Sequence, residues 1–325
     1  MDTPTLLIEA RPFCVFDDKP YKALVKQDLK IIDMRGKGIA DSEFRKTLGQ
    51  VDAVLCGNDL VMDAALLDAN PNIKLIAKMG AGLDTVDIDA ATARNVIVFH
   101  TPGVNNQAVA DHAFALMLGL ARKIVFCDQS MRAGHWEHTK IMGLEIWQKT
   151  LGLVGLGAIG RNVALRAKGF QMRVVAYDPY WPEDFARENG IEPMGIEQLL
   201  EVSDIVSLHT PLMPETAGLI DKAALQRMKR TALVINTSRG GIINEEDLYH
   251  ALKSGEIAGA GIDVFETEPP TDSKLMQLDN VLLSPHTAAF TTEAMNSMNA
   301  EVVKQLICWL EDKTPRFTVN AKKAA

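Results

Sequence analysis

No run of apolar residues in this chain approaches the ~20 that a membrane-spanning helix needs, so no membrane span is predicted. Basic charge is also short: 34 Lys and Arg stand against 42 Asp and Glu, a net charge of −8. A phosphate backbone calls for a basic surface, so nucleic acid is not an expected partner. Cysteine is scarce, with four in 325 residues. Cys14, Cys56, Cys127 and Cys308 lie far apart and form no C-x-x-C pair. A disulfide framework is therefore not expected, a reducing cytoplasm fits, and each cysteine reads as a small buried hydrophobe. The segment from Met1 to Arg11 has an early acid, no basic cluster and no small-residue cleavage site, so it does not read as a signal peptide. The tail Ala321–Ala325 reads as frayed.

What is present is an alternation of short apolar runs with longer helical stretches, the pattern of parallel sheets covered by helices. The first part carries candidate strands at Thr5–Ile8, Leu29–Ile32, Ala53–Cys56, Leu75–Lys78 and Val96–Phe99. The second carries Thr150–Val154, Arg173–Tyr177, Ile205–Leu208, Ala232–Asn236, Gly259–Ile262 and Val281–Ser284. Six strands suffice for a dinucleotide-binding sheet. Between the sets lies a helix over Val104–Lys123, to be capped by Asn105 or Asn106 and buried on most sides along Ala108–Ala121. A last helix, roughly Thr291–Glu311, could return to the first domain, which would then use both chain ends.

The densest motif is Gly155-Leu156-Gly157-Ala158-Ile159-Gly160, a G-x-G-x-x-G directly after an apolar strand and before a helix. Gly155 permits the tight turn, Gly157 admits a pyrophosphate, and Gly160 lets helix and strand pack closely. The first helical turn, with Ala158 and Ile159, supplies N–H groups to the anion. The next strand ends at Asp178, whose carboxylate suits ribose hydroxyls and repels a 2′-phosphate, so NAD is favoured over NADP. Such a cofactor carries hydride, and the protein must position a substrate and manage one proton.

Three further segments are Val234-Ile235-Asn236-Thr237-Ser238-Arg239-Gly240-Gly241, Asp263-Val264-Phe265-Glu266-Thr267-Glu268-Pro269 and Leu283-Ser284-Pro285-His286-Thr287-Ala288-Ala289. With the glycine turn before them, they resemble the D-isomer-specific 2-hydroxyacid dehydrogenase family, from about Ile73 to about Thr292. The resemblance implies α/β architecture with two doubly wound parallel-sheet domains. A flavodoxin-like substrate domain would span 1–103 plus 290–325, and a Rossmann NAD-binding domain 104–289. A cleft between them would close on substrate. It implies Arg239, Glu268 and His286 as catalytic residues. Arg239 offers a planar fork to the substrate carboxylate. His286 exchanges the proton of the 2-hydroxyl, and Glu268, rather than its neighbour Glu266, orients the imidazole and favours its charged form.

The resemblance also puts Thr210, Pro211 and Thr237 near the cofactor, with His209 beside them, and Asp263 at the nicotinamide end. It makes Lys78–Asp84 the substrate loop, with Ala81 and Gly82 joining Arg239 and His286 in substrate binding and Asn105 a weaker candidate. Homodimers are usual in the family, joined in part through Val104–Gly143. No metal is expected: His135 and His138 form H-x-x-H without further ligands, and His112 reads as structural. Asp111 and Phe290 depart from the family's usual residues. Cys56-Gly57-Asn58-Asp59 lacks the base that phosphoglycerate enzymes use for phosphate, and no appended regulatory domain is expected. The reading is therefore an NAD-dependent oxidoreductase of a small D-2-hydroxy acid, of the hydroxypyruvate or glyoxylate type. An NAD-sensing corepressor-like protein and a formate- or phosphite-type dehydrogenase are the alternatives.

Overall fold

The structure, a computed structural model, describes residues 3–139 and 141–320. The tail reading falls outside those residues. The chain divides into two compact units, Met1–Asn105 with Phe290–Ala325, and Asn106–Ala289.

The first unit is built on β1 (Thr5–Ile8), β2 (Lys30–Asp33), β3 (Ala53–Cys56), β4 (Leu75–Lys78) and β5 (Ile97–Phe99). All pair in parallel in the order β2-β1-β3-β4-β5, the flavodoxin-like arrangement. β3 and β4 are buried along their whole length, which explains why they read as continuous apolar runs rather than alternating ones. The helix Thr292–Leu310 also belongs to this unit. Gln305, 2% exposed, donates to the His100 carbonyl and accepts from the Phe317 N–H. Val319 N–H donates to the Val98 carbonyl, so the last described residues are stitched to β5.

The second unit carries β6 (Thr150–Val154), β7 (Arg173–Tyr177), β8 (Glu192–Pro193), β9 (Ile205–Leu208), β10 (Leu233–Asn236), β11 (Gly259–Ile262) and β12 (Val281–Leu283). The parallel order is β12-β11-β10-β9-β6-β7-β8. β8 is a seventh strand absent from the sequence reading. It has two residues, one a proline, and two residues carry no periodicity; its edge position is where proline is tolerated. The chain runs outward from β6 through β8, then restarts at β9 on the other side of β6. The strand order therefore reverses between β6 and β9, and ligands of open α/β sheets bind beyond the strand ends at such a point.

The connecting helix is Asn106–Ala121, shorter than expected. Neither asparagine caps it as predicted. Asn106 is already helical, and the Asn105 Oδ1 is buried without a hydrogen-bond partner. Asp111 is exposed and pairs with Arg166 Nε at 2.7 Å, tying this helix to the helix Ala158–Ala167. The cysteine expectation needs correction as well: only Cys56 is buried, and the other three are half-buried because they lie in loops or at helix surfaces; all four are free. No helix among the described residues is long and apolar enough to cross a membrane.

Candidate active site

Each of the three glycines in the β6 turn meets a different constraint. Gly155 has φ +97°, and a Cβ there would lie 2.6 Å from the His209 carbonyl oxygen. A Cβ on Gly160 would lie 2.2 Å from the Gly155 carbonyl oxygen. A Cβ on Gly157 would meet nothing within 4 Å. The first two are therefore glycine for internal packing, while Gly157 fronts open space at the start of the helix Ala158–Ala167. That helix N-terminus, with Ala158 and Ile159 in its first turn, suits a pyrophosphate.

Asp178 is half-buried after β7. Its Oδ2 accepts the Leu156 N–H at 2.7 Å and its Oδ1 the Tyr180 N–H at 2.7 Å. The acid thus braces the glycine turn as well as offering lone pairs outward, a role the sequence reading did not include. Beyond β9, Thr210 is half-buried and Pro211 exposed. His209 Nδ1 is buried without a partner although the residue as a whole keeps some exposure, and desolvation pushes its pKa down to about 3, so the ring is neutral. Thr237 Oγ1, just past β10, is likewise buried and unpartnered. An open glycine, a helix N-terminus, a ribose-type acid and orphan polar atoms at the strand ends fit a dinucleotide.

Arg239, Glu268 and His286 all lie at the C-terminal side of this sheet, after β10, β11 and β12. His286 Nδ1 is 2.7 Å from Glu268 Oε2, and the other oxygen, Oε1, accepts the Phe265 N–H at 3.1 Å. Glu266 is turned elsewhere: its Oε1 accepts the Glu245 N–H, and its own N–H donates to Glu245 Oε1. Burial pushes the Glu268 carboxyl up, but the His286 hydrogen bond and charge, the Phe265 N–H and the Arg239 charge outweigh it, leaving the pKa below its ordinary 4.5. Glu268 is thus an acceptor at neutral pH, so His286 Nδ1 carries a proton and Nε2 is the nitrogen left for a substrate.

Arg239 is held by a turn that the sequence reading did not single out. Asn236, 2% exposed, accepts from both the Ser238 N–H and hydroxyl and donates to the Arg239 carbonyl. An Asn two residues before a Ser at a strand end is an Asx-turn pattern and could have signalled this. Arg239 Nη1 donates to the Ser238 carbonyl at 2.6 Å. A Cβ on Gly240 would lie 1.9 Å from the Phe265 carbonyl oxygen, so the Arg239 turn sits directly on the Glu268 loop.

Asp263 was expected at the nicotinamide end. The structure gives its carboxylate, fully buried, to the His286 turn: Oδ1 accepts from the Ser284 hydroxyl and the Thr287 N–H, and Oδ2 from the Ala288 N–H. Its carbonyl accepts the His286 N–H. These contacts support His286 at φ +53°, a left-handed conformation uncommon for a residue with a side chain.

In the first unit, Ala81 and Gly82 are half-buried and follow Gly80 at φ +120°. The Gly80 N–H donates to Thr101 Oγ1, and the Ala81 carbonyl contacts His100 Nδ1 at 2.8 Å. Lys78, read from sequence as the start of this loop, is instead fully buried, and its Nζ donates to the Gly57 carbonyl and Asn58 Oδ1. The stretch without a base of its own is therefore pinned from behind by one. Arg11 pairs with Asp59 at 3.1 Å. Phe290 is 53% exposed. Among the described residues no group of three or more His, Cys, Asp and Glu could hold a metal; His138 lies against the Trp136 ring.

A glycine turn at the switch point, an acid after the next strand and a Glu–His pair beside an arginine define a nicotinamide-dinucleotide-dependent dehydrogenase. Residues 114–288 match the model of the D-isomer specific 2-hydroxyacid dehydrogenase, NAD binding domain, and the chain belongs to that family. It is an NAD-dependent dehydrogenase acting on CH–OH donors. It is 45% identical over 264 residues to a glyoxylate reductase of Korarchaeum cryptofilum, covering 80% of each chain. It is 39% identical over 284 residues to a D-3-phosphoglycerate dehydrogenase of Archaeoglobus fulgidus, covering 87% of this chain but only 54% of that one. The crystal structure of a glyoxylate reductase from Paecilomyes thermophila superposes with a TM-score of 0.88 at 31% identity, covering 98% of this chain and 99% of the other.

The glycines yield a paired prediction. Gly160→Ala is expected to lower the melting temperature, because the blocking atom is backbone and cannot rotate away. Gly157→Ala is expected to leave melting unchanged while weakening NADH binding, read by fluorescence titration. Equal melting losses in both variants would refute the division of roles.

Proposed function

We propose that the enzyme interconverts glyoxylate or hydroxypyruvate with the corresponding 2-hydroxy acid, using NAD(H). The reading is carried by the 2.7 Å contact of His286 with Glu268, on a loop against the Arg239 turn. When bound, the dinucleotide supplies or accepts the hydride. Arg239 holds the substrate carboxylate through its guanidinium fork and polarises the adjacent carbonyl. His286 donates its Nε2 proton to the oxygen as it becomes an alkoxide, and takes it back in the oxidative direction. Glu268 keeps Nδ1 protonated and the ring in place.

A small acid is favoured because 56–59 present no unpaired basic side chain for a phosphate: Lys78 is buried behind them and Arg11 is matched by Asp59. The similarity to glyoxylate reductases supports the same choice. NADH oxidation against glyoxylate, hydroxypyruvate, pyruvate and phosphohydroxypyruvate tests it. Highest kcat/KM with phosphohydroxypyruvate would refute the substrate assignment, and no turnover with any of them would refute the activity.

The four free cysteines suit a cytoplasmic enzyme. A homodimer is supported by the helix Ile124–Arg132, which buries none of its residues and exposes Ile124, Val125, Phe126 and Met131. Trp136 and Met142 extend the apolar surface, and exposed patches of this kind mark interfaces. Light scattering is expected to give twice the chain mass, and Phe126→Glu with Trp136→Glu to give a monomer. A monomeric parent would refute this.

A further inference from the structure

One titratable side chain reaches the frame of this site from outside it. His112 lies on the helix Asn106–Ala121 with its side chain 25% exposed, and its Nε2 is 2.8 Å from Ser284 Oγ. Ser284 in turn donates to Asp263 Oδ1 at 2.6 Å. A hydroxyl has a single proton, and a carboxylate oxygen only accepts. The Ser284 proton is therefore committed to Asp263, and the contact with His112 must be made by an Nε2–H of His112. The order of donation runs from His112 to Ser284 to Asp263. Asp263 then accepts the Thr287 and Ala288 N–H groups with its carboxylate and the His286 N–H with its carbonyl. His112 Nε2 is itself 3.5 Å from Asp263 Oδ1, so a group able to carry positive charge stands beside a fully buried carboxylate.

We infer that His112 is a positioning residue for His286, acting through Ser284 and Asp263. The inference rests on the reading of His286 as the proton-exchanging group. Asp263 grips two successive N–H groups and a hydroxyl only in one rotamer. The Ser284 hydroxyl fixes that rotamer, and His112 fixes the direction of the hydroxyl. The turn being gripped holds His286 in a left-handed conformation that its own backbone does not favour. Removing the His112 donor frees the hydroxyl to rotate, loosens the Asp263 grip and lets the imidazole drift from its 2.7 Å contact with Glu268. Geometry of this kind enters the rate directly: a misplacement of 1 Å can cost about 10²-fold, so a smaller drift costs about tenfold.

The test is a set of variants assayed with glyoxylate and NADH. His112→Leu removes the donor, and His112→Gln keeps an N–H able to reach Ser284. His112→Leu is expected to lower kcat about tenfold with NADH affinity unchanged, and His112→Gln to recover most of that loss. In a His286→Asn background, His112→Leu is expected to cost nothing further, because the residue it positions is gone. The inference is overturned by wild-type kcat in His112→Leu, by an equal loss in His112→Gln, or by a further loss in the His286→Asn background. An inactive His286→Asn beside an unaffected His112→Leu overturns this inference alone. A fully active His286→Asn overturns the catalytic reading and this inference with it.

Discussion

Replacing His286 by Asn is expected to lower kcat by about 10²–10⁴-fold, the range that general acid–base catalysis supplies, while NADH binds as before. The asparagine amide can still donate toward Glu268 but cannot deliver a proton to an alkoxide. The cofactor turn lies on Gly155–Gly160 and Asp178, away from the 284–288 turn that Asp263 grips, so the two effects separate. Steady-state kinetics and NADH titration on one preparation measure both. Near-normal turnover would remove His286 from the chemistry. Glu268→Gln is expected to do less harm and to change the acid side of the pH profile. The sign follows from the depressed Glu268 pKa. Its interaction with the charged imidazole is present above the unfolded carboxyl value and is lost only as pH falls through the lower folded value. The parent enzyme is therefore expected to show no Glu268-linked loss until the pH drops below 4.5.

Much of this is legible in the sequence. Several strands read at their observed bounds, Ala53–Cys56 and Ile205–Leu208 among them, are fully buried, so nothing competes with their apolar signal. β8 was illegible because two residues leave no pattern. The helix entry differs from the reading because an asparagine's capping propensity is local, whereas here Asn106 is already helical and the Asn105 Oδ1 is buried without a hydrogen-bond partner. Within the site, the residues proposed to react stand out because their neighbours are unusual: Arg239 between a Ser and two glycines, Glu268 before Pro269, His286 after Pro285. The residues that hold them do not. Asn236 and Ser284 are ordinary polar residues near strand ends, and His112 sits 172 positions from the hydroxyl it contacts. Which of two acids faces the imidazole is legible in the Pro269 that follows Glu268, and the structure adds the reason Glu266 does not compete: it is claimed by the helix start at Glu245.

Gly240→Ala is expected to cripple the enzyme without touching any reactive group. A Cβ at Gly240 would lie 1.9 Å from the Phe265 carbonyl oxygen, 2.0 Å from its carbon and 2.6 Å from the Glu266 nitrogen. All three are backbone atoms, so no rotamer change relieves the clash, and the two segments must part. The segments are the Arg239 turn and the loop that ends in Glu268. Gly241 makes a useful contrast: it has φ +78°, and its nearest neighbours are Leu212 methyls at 3.7 and 3.8 Å, so alanine there meets conformational strain rather than collision. Overpacking of the Gly240 kind costs about 1–3 kcal/mol of stability, and a shift approaching 1 Å costs about 10²-fold in rate. Gly240→Ala should therefore lose far more kcat/KM than Gly241→Ala for a similar drop in melting temperature. Equal kinetic losses at equal melting would mean that the Phe265 contact does not set the distance from Arg239 to the Glu268–His286 pair.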